Sequence, residues 1–436
     1  MCGRPSLLGK WPMYRSICLP LVLLSTAAAG IAQTAPTPGT ALPRTATPAR
    51  TAATPVATTP GAAAPAAPTA VPLPAPVLAA EWKRKQAEEL LAFVDGIDAE
   101  GLDPSDYNPD RLRRAIDDKS DDLSAIATDT FLKVAGDLMF GHVRGAARID
   151  WFVQDDSWTV YDQQNLLTRA TAGETVSDTL RSLLPTHPQY AALKAALAKN
   201  EGLARDKIRT NLDRWRWLPR DLGQKYVIVN VPAYTVALVE GGRTLDRRRA
   251  VAGAIKTPTP SLNATITGAI FNPWWEVPTS ISREVSGKKG YVSVKLPGGG
   301  VRYRQPPGPS NALGRVKLVM GNPHAIYLHD TNAKNLFNKQ ARAYSHGCIR
   351  TEDAVGFAAT LLDGTDWSRD KVAATVKSGK TVQANVATPI PVYIVYFSVA
   401  ATDEGDLARY DDMYTRDAKV LAALNDRPTA ASLASN

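Results

Sequence analysis

Cysteine is scarce in this chain. Of its 436 residues only three are cysteines, Cys2, Cys18 and Cys348, and only Cys348 lies beyond residue 18. Once a leader is removed, an intramolecular disulfide cannot form and a multi-cysteine metal site is excluded. Cys348 is then either a small buried hydrophobe or a nucleophile, and an oxidising compartment disfavours a free thiol that does no work. Acidic residues are absent before Glu81, while Arg4, Lys10, Arg15, Arg44 and Arg50 precede it. Setting those five aside reduces the net charge of +9 to +4 for residues 81–436. No Lys/Arg run with interleaved aromatics occurs beyond Arg247-Arg248-Arg249, expected on a solvated strand edge, so no nucleic-acid partner is expected. The five histidines are too sparse for a metal cluster. His142 and His187 lack ligand-spaced partners, and His324 and His329 fall on opposite faces of a strand, so neither metal nor cofactor is expected.

No apolar stretch reaches the roughly 20 residues of a spanning helix. The one near the start, Ile17 to Leu24, is interrupted by Pro20, follows a basic segment and precedes the small residues Ala27 to Ala32. Residues 1–32 therefore read as a cleaved secretory signal, and contact with a membrane is expected only if that signal is retained. Arg15-Ser16-Ile17 ahead of Cys18 lacks the small residues of a lipidation site. Residues 33–80 are almost wholly Ala, Pro and Thr, cannot bury enough apolar area to offset chain entropy, and read as an extended linker.

Beyond the linker the apolar period is 3.6. Ala87, Leu90, Leu91 and Val94 share a helix face, as do Phe131, Val134, Ala135 and Leu138; a third helix is expected over Pro188 to Lys199 with Tyr190, Leu193 and Leu197 inward. Asp103 is placed to cap a helix opened by Pro104. Residues 81–205 thus form a helical domain. From Tyr226 the period becomes 2. Strands are expected at Tyr226–Val231, Thr235–Val239, Ala250–Ile255, Lys317–Met320, Ala325–His329 and Val392–Val399, with a hairpin turn at Glu240-Gly241-Gly242-Arg243. Two helices, Asp353–Leu362 and one capped by Ser368, complete a mixed β-rich domain over residues 206–425, followed by a tail at 426–436. The class is α+β.

The chemistry falls within residues 324–350. Alternation puts Ile326 and Leu328 on one strand face and Tyr327 and His329 on the other. Cys348 is expected just before a helix capped by Thr351, with Glu352 and Asp353 in its first turn, a position that would lower the thiol pKa toward the nucleophilic thiolate. Gly347 leaves room for a substrate backbone, and the Gly347 and Cys348 amides are candidates for an oxyanion site.

At these residues the chain resembles the L,D-transpeptidases. The resemblance runs through His329-Asp330-Thr331, Leu336-Phe337, Arg342 and Ser345-His346-Gly347-Cys348-Ile349-Arg350, and upstream through 214–219, 271–278 and 304–314. The segments are similar to the large periplasmic members of Gram-negative bacteria, with a helical scaffold before the catalytic domain. The resemblance implies that Cys348 is acylated and His329 is its base. It further implies that His346, Gly347 and Ser345 support the site and that Tyr327, Thr331 and Arg350 bind substrate, with bracing of the loop the equal alternative for Arg350. Asp330 would orient His329 through its main chain.

The implied reaction joins peptidoglycan stem peptides, donor and acceptor, in 3-3 cross-links, with a wall-linked lipoprotein as another acceptor and carbapenems as acylating inhibitors. A thiol hydrolase of the same thioester and a non-catalytic wall binder are the alternatives. No repeat module for wall binding is found before Arg214. Residues 278–302, short and rich in Gly and Lys, imply an open approach to the site. The tryptophans at 215, 217, 274 and 275 are expected in a core or between domains.

Overall fold

The structure, a computed structural model, describes residues 80–155, 160–173, 175–402 and 406–426. These fall within one compact unit, Leu73–Asn436. The expected signal, nearly all of the linker and all but the first residue of the tail lie outside them. Among the described residues no helix is long and apolar enough to cross a membrane.

The helical region comprises α1 (Arg84–Asp95), α2 (Pro109–Asp117), α3 (Leu123–Phe140), α4 (Val160–Thr168), α5 (Val176–Arg181), α6 (Pro188–Leu197) and α7 (Gly202–Arg216). The expected faces are the buried ones: Ala87, Leu90 and Val94 of α1 meet Phe131, Val134 and Leu138 of α3 in one core. Each such side chain contributes about 1.5–3 kcal/mol on burial. Asp103 caps as expected, accepting from Ser105 N at 2.9 Å, but the turn it heads, Pro104–Tyr107, is a 3-10 helix. The division drawn at residue 205 falls inside α7. That helix is continuous because its Ile208, Leu212 and Trp215 pack on Tyr226, Val239 and Tyr393 of the sheet, joining the two regions through one core.

A short strand, β1 (Trp151–Phe152), leads to β2 (Lys225–Asn230), β3 (Thr235–Glu240), β4 (Arg243–Gly253) and β5 (Ser261–Phe271). Next, β6 (Trp275–Glu276), β7 (Val292–Lys295) and β8 (Val301–Gln305) form a separate three-stranded sheet with a helical turn, α8 (Ser282–Val285). The chain returns as β9 (Val316–Met320), β10 (Leu328–His329), β11 (Ala343–Ser345) and β12 (Ile349–Thr351). It ends with α9 (Ala354–Leu361), α10 (Arg369–Ser378), β13 (Val382–Val395), β14 (Val399–Ala401), β15 (Leu407–Arg409) and α11 (Asp417–Leu424).

The strand order is β1-β5-β13-β2-β3-β4-β12-β10-β9, and β9 pairs back onto β5, so the main sheet closes into a barrel. Alternate residues Val227, Val229, Val236, Leu238, Leu328 and Ile349 fill its interior. The intervening residues face outward, toward α6 and α7 on one side and toward the thiol's cleft on another. Gly241 and Gly242 take positive φ, 55° and 75°, which makes the expected hairpin turn.

Several expectations are corrected. Residues 325–327 are not strand, because Asn322 ties Ile326 into a turn through both its amide atoms. The single strand expected at 392–399 is two: β13 begins ten residues earlier, and Ser398 breaks the run by bonding Asn211. β4 ends at Gly253. The strand β5 escaped the sequence reading. Arg247-Arg248-Arg249 sits on β4, between β3 and β12, not on an edge. Arg248 pairs with Asp246 and Asp353, and Arg249 with Glu352.

Candidate active site

The strand register assembles the cleft. In β10, His329 pairs with Arg350 of β12 on one side and with Lys317 of β9 on the other. One step back, Ile349 N donates to Tyr327 O at 3.0 Å, which sets Cys348 beside Tyr327. Since neighbouring strand residues alternate faces, Lys317, Tyr327, His329, Cys348 and Arg350 all stand on the outer wall of the barrel. Cys348 and His329 are diagonal neighbours, about 8 Å apart at Cα from strand spacing and rise. The thiol donates to the Ala325 carbonyl at 3.6 Å.

Electrostatics correct the expected thiolate. Cys348 lies before β12, not a helix; α9 starts later, capped by Asp353, whose side chain accepts from Gly356 N. No helix terminus therefore favours the anion. Burial pushes the Cys348 thiol above its ordinary value and outweighs the Tyr327 main chain and hydroxyl, Lys317 and Arg350, which all favour the thiolate. His329 is 6% exposed, and its pKa is pushed down to about 3, by burial first and then by Arg350 and Lys317. The main chain of Asp330 favours the protonated ring, yet no group meets hydrogen-bond geometry at Nδ1. The resting pair is thus neutral thiol and neutral imidazole.

The loop before Cys348 is locked from within. Ser345 Oγ donates to the Cys348 carbonyl at 2.6 Å and accepts from Gly347 N at 3.1 Å. The Gly347 amide is therefore spent, which leaves the Cys348 amide as the oxyanion candidate of the two. Gly347 has φ 110°, and a Cβ there would press on Ile326 at 3.2 Å, so backbone shape rather than substrate room demands glycine. Thr259 Oγ1 donates to the Gly347 carbonyl at 2.7 Å and Thr257 Oγ1 to that of Ser345 at 3.0 Å. Thr331 is buried, and its hydroxyl accepts from Ala333 N, which shapes the turn after β10. The Asp330 carboxylate is taken by Arg315 N and Lys334, which leaves only its main chain for His329.

His346 points outward, its Nε2 3.7 Å from Glu284 of α8. Residues 275–305 form a flap with its own small core of Val277, Ile281 and Val285, and its Trp275 lies near the Tyr327 hydroxyl, whose pKa it pulls down against the larger upward push of burial. Lys317, stacked 4.0 Å over the Tyr327 ring, escaped the sequence reading, as did Thr257, Thr259 and Glu284. Only the alternation of β9 could have hinted at Lys317. Burial lowers both Lys317 and Arg350, and Arg350 Nε is buried without an acceptor. Among the described residues no carboxylate faces these two cations. Nor does any group of three or more His, Cys, Asp or Glu lie close enough to hold a metal ion.

Residues 224–389 match the YkuD family, the L,D-transpeptidase catalytic domain, and residues 79–197 match the Scaffold domain family. A curated relative, a putative L,D-transpeptidase of Haemophilus influenzae, is 28% identical over 247 residues, 50% of each chain. Among solved structures, an L,D-transpeptidase from Mycobacterium smegmatis is 16% identical with a TM-score of 0.23, over 39% of this chain and 58% of that one. L,D-transpeptidase 3 from Mycobacterium tuberculosis is 13% identical, TM-score 0.23, over 39% and 61%. The chain thus spans about half the length of the curated relative.

Proposed function

We propose that this chain, whose residues match the L,D-transpeptidase catalytic domain behind a scaffold domain, is an exported peptidoglycan L,D-transpeptidase forming 3-3 cross-links in the periplasm. Cys348 Sγ attacks the carbonyl of the diaminopimelate at stem position 3 while His329 takes the thiol proton. The C–N bond to D-alanine breaks, the proton passes to the departing amine, and a thioester remains. An amine of a neighbouring stem attacks that thioester, His329 takes its proton, and the thiol is restored. A resting neutral pair suits this sequence: the proton moves to the imidazole as the sulfur attacks, so the reactive anion forms only at that step.

The observation that supports the reading best is the outer-wall row itself, where a thiol and a neutral imidazole stand diagonally beside two cations with no acid. Lys317 and Arg350 are placed to hold a substrate carboxylate, and Arg350 Nε waits for an acceptor. Mass analysis after incubation with disaccharide-tetrapeptide tests this. A dimer lacking one D-alanine is expected; a free tripeptide stem would indicate the hydrolase, and unchanged substrate a wall binder. Cys348→Ala abolishes turnover, and a carbapenem adds its mass to the wild type alone.

A further inference from the structure

Residues 412–416 lie beyond both matched regions, which end at residues 197 and 389. They nevertheless close on the loop that carries the thiol. The link is Thr259, fully buried between β4 and β5. Its hydroxyl accepts from Gly253 N at 2.9 Å, so its single proton is committed to the Gly347 carbonyl, 2.7 Å away.

Tyr414 and Arg416 fix Thr259 by its main chain. The Tyr414 hydroxyl accepts from Thr259 N at 3.2 Å and donates to the Gly253 carbonyl at 2.6 Å. Arg416, 3% exposed, donates through Nη2 to the Thr259 carbonyl at 3.3 Å and to Asp150, within the scaffold match, at 2.7 Å. Its guanidinium lies 4.8 and 4.9 Å from the ring centroids of Tyr396 and Tyr414. Asp412 organises this corner, accepting from the Tyr396 hydroxyl at 2.7 Å, Arg416 N at 2.9 Å and Asp417 N at 2.8 Å. Tyr414 N in turn donates to the Tyr396 hydroxyl at 2.9 Å.

What Thr259 holds is the peptide between Gly347 and Cys348. A peptide unit is planar, so the Gly347 carbonyl and the Cys348 N–H turn together and point opposite ways. Glycine at 347, with φ 110°, puts little restraint of its own on that plane. A donor on the carbonyl therefore sets the direction of the Cys348 N–H, the oxyanion candidate, before any substrate arrives.

We propose that Tyr414 and Arg416 are positioning residues that act through Thr259 to aim the Cys348 amide at the oxyanion formed when Cys348 is acylated. Residues outside the catalytic-domain match thereby become part of the active site. The proposal rests on the reading of Cys348 as an acyl acceptor; the identity of its natural acyl donor does not enter.

Two reactions of Cys348, each followed by mass on the peptide that carries it, separate this role from general support of the fold. In acylation by p-nitrophenyl acetate, Sγ takes the acetyl group through a tetrahedral oxyanion, the ester C–O bond breaks, p-nitrophenolate leaves and the thiol proton goes to solvent. Alkylation by iodoacetamide, in which the sulfur displaces iodide, forms no oxyanion. In the full chain, Tyr414→Phe is expected to slow acylation about tenfold, the scale of one hydrogen bond, and to leave the alkylation rate and its pH midpoint at wild-type values. Thr259→Val gives a loss at least as large, and Thr259→Ser, which keeps the hydroxyl, recovers most of the rate. A chain that turns over no disaccharide-tetrapeptide still reads out through the ester, so failure of the proposed function is seen separately. Unchanged acylation in both Tyr414→Phe and Thr259→Val overturns the proposal, as does equal slowing of the two reactions, the mark of a loosened fold. A wild type that alkylates without taking the acetyl group has no oxyanion site to hold and overturns it as well.

Discussion

Arg216 and Arg350 sit in two regions that treat a buried cation in opposite ways. At the scaffold junction Arg216 is 1% exposed, yet it pairs with Asp213 at 3.3 Å, donates to Tyr190 at 2.9 Å and reaches the Glu100 carbonyl. Burial opposes its charge, but Tyr190, Asp213 and Glu100 together raise its pKa. Asp213 also accepts from His142 N, Val143 N and Trp217 Nε1, so helical region, α7 and barrel meet on one anion. In the cleft Arg350 has no carboxylate and burial lowers its pKa; the Nε of each arginine is without an acceptor, so the carboxylate makes the difference. Charge is compensated at the junction and left uncompensated in the row beside the thiol, where the proposed function places a substrate carboxylate.

Five experiments sharpen or break this contrast. Arg216→Ala strands Asp213 without its cation and is expected to cost about 3–5 kcal/mol in urea unfolding, as for a broken buried ion pair. Arg350→Ala is expected to leave unfolding within about 1 kcal/mol of wild type while lowering kcat/KM about 10²-fold, the worth of a charged hydrogen bond. Equal losses of stability in the two variants would erase the distinction.

Alkylation of Cys348 followed against pH is expected to show a midpoint above that of an ordinary thiol, displaced further upward in Lys317→Met, because one of the cations favouring the thiolate is gone. A midpoint below the ordinary value would restore a resting ion pair.

Acid should act through His329. Its folded pKa, about 3, is below the unfolded value of about 6.5. The unfolded chain therefore takes up a proton first, and stability falls as pH drops from about 6.5 toward 3. His329→Gln is expected to flatten that part of the profile in thermal melts, and an unchanged slope would show that the ring is solvated. The smallest effect belongs to Glu284→Gln, which removes an exposed contact to His346; its expected cost is below about 1 kcal/mol in urea unfolding.

Much of the helical region was legible because periodicity is local: Leu90 and Val94, or Phe131 and Val134, announce one face whatever lies beyond. The hairpin at Gly241-Gly242 was legible because its positive φ values need glycine. The strand β5 was not, since Ser261–Phe271 mixes Asn263, Thr265 and Gly268 into a weak alternation, and its partners β9 and β13 lie far along the chain. The helix start was misplaced from Thr351 to Asp353 because Ile349–Thr351 is drawn into strand by β4 and β10.

Within the site, the run from Ser345 to Arg350 and the position of His329 marked the thiol and the imidazole as candidates without coordinates, since residue type and strand alternation are properties of the chain itself. Their protonation, the sulfur's turn toward Ala325, the flap and the isolation of Arg350 required the fold. Those depend on solvation and charge, which are set by atoms brought together from β9, β12 and residues 275–305, and no single stretch of sequence carries that sum.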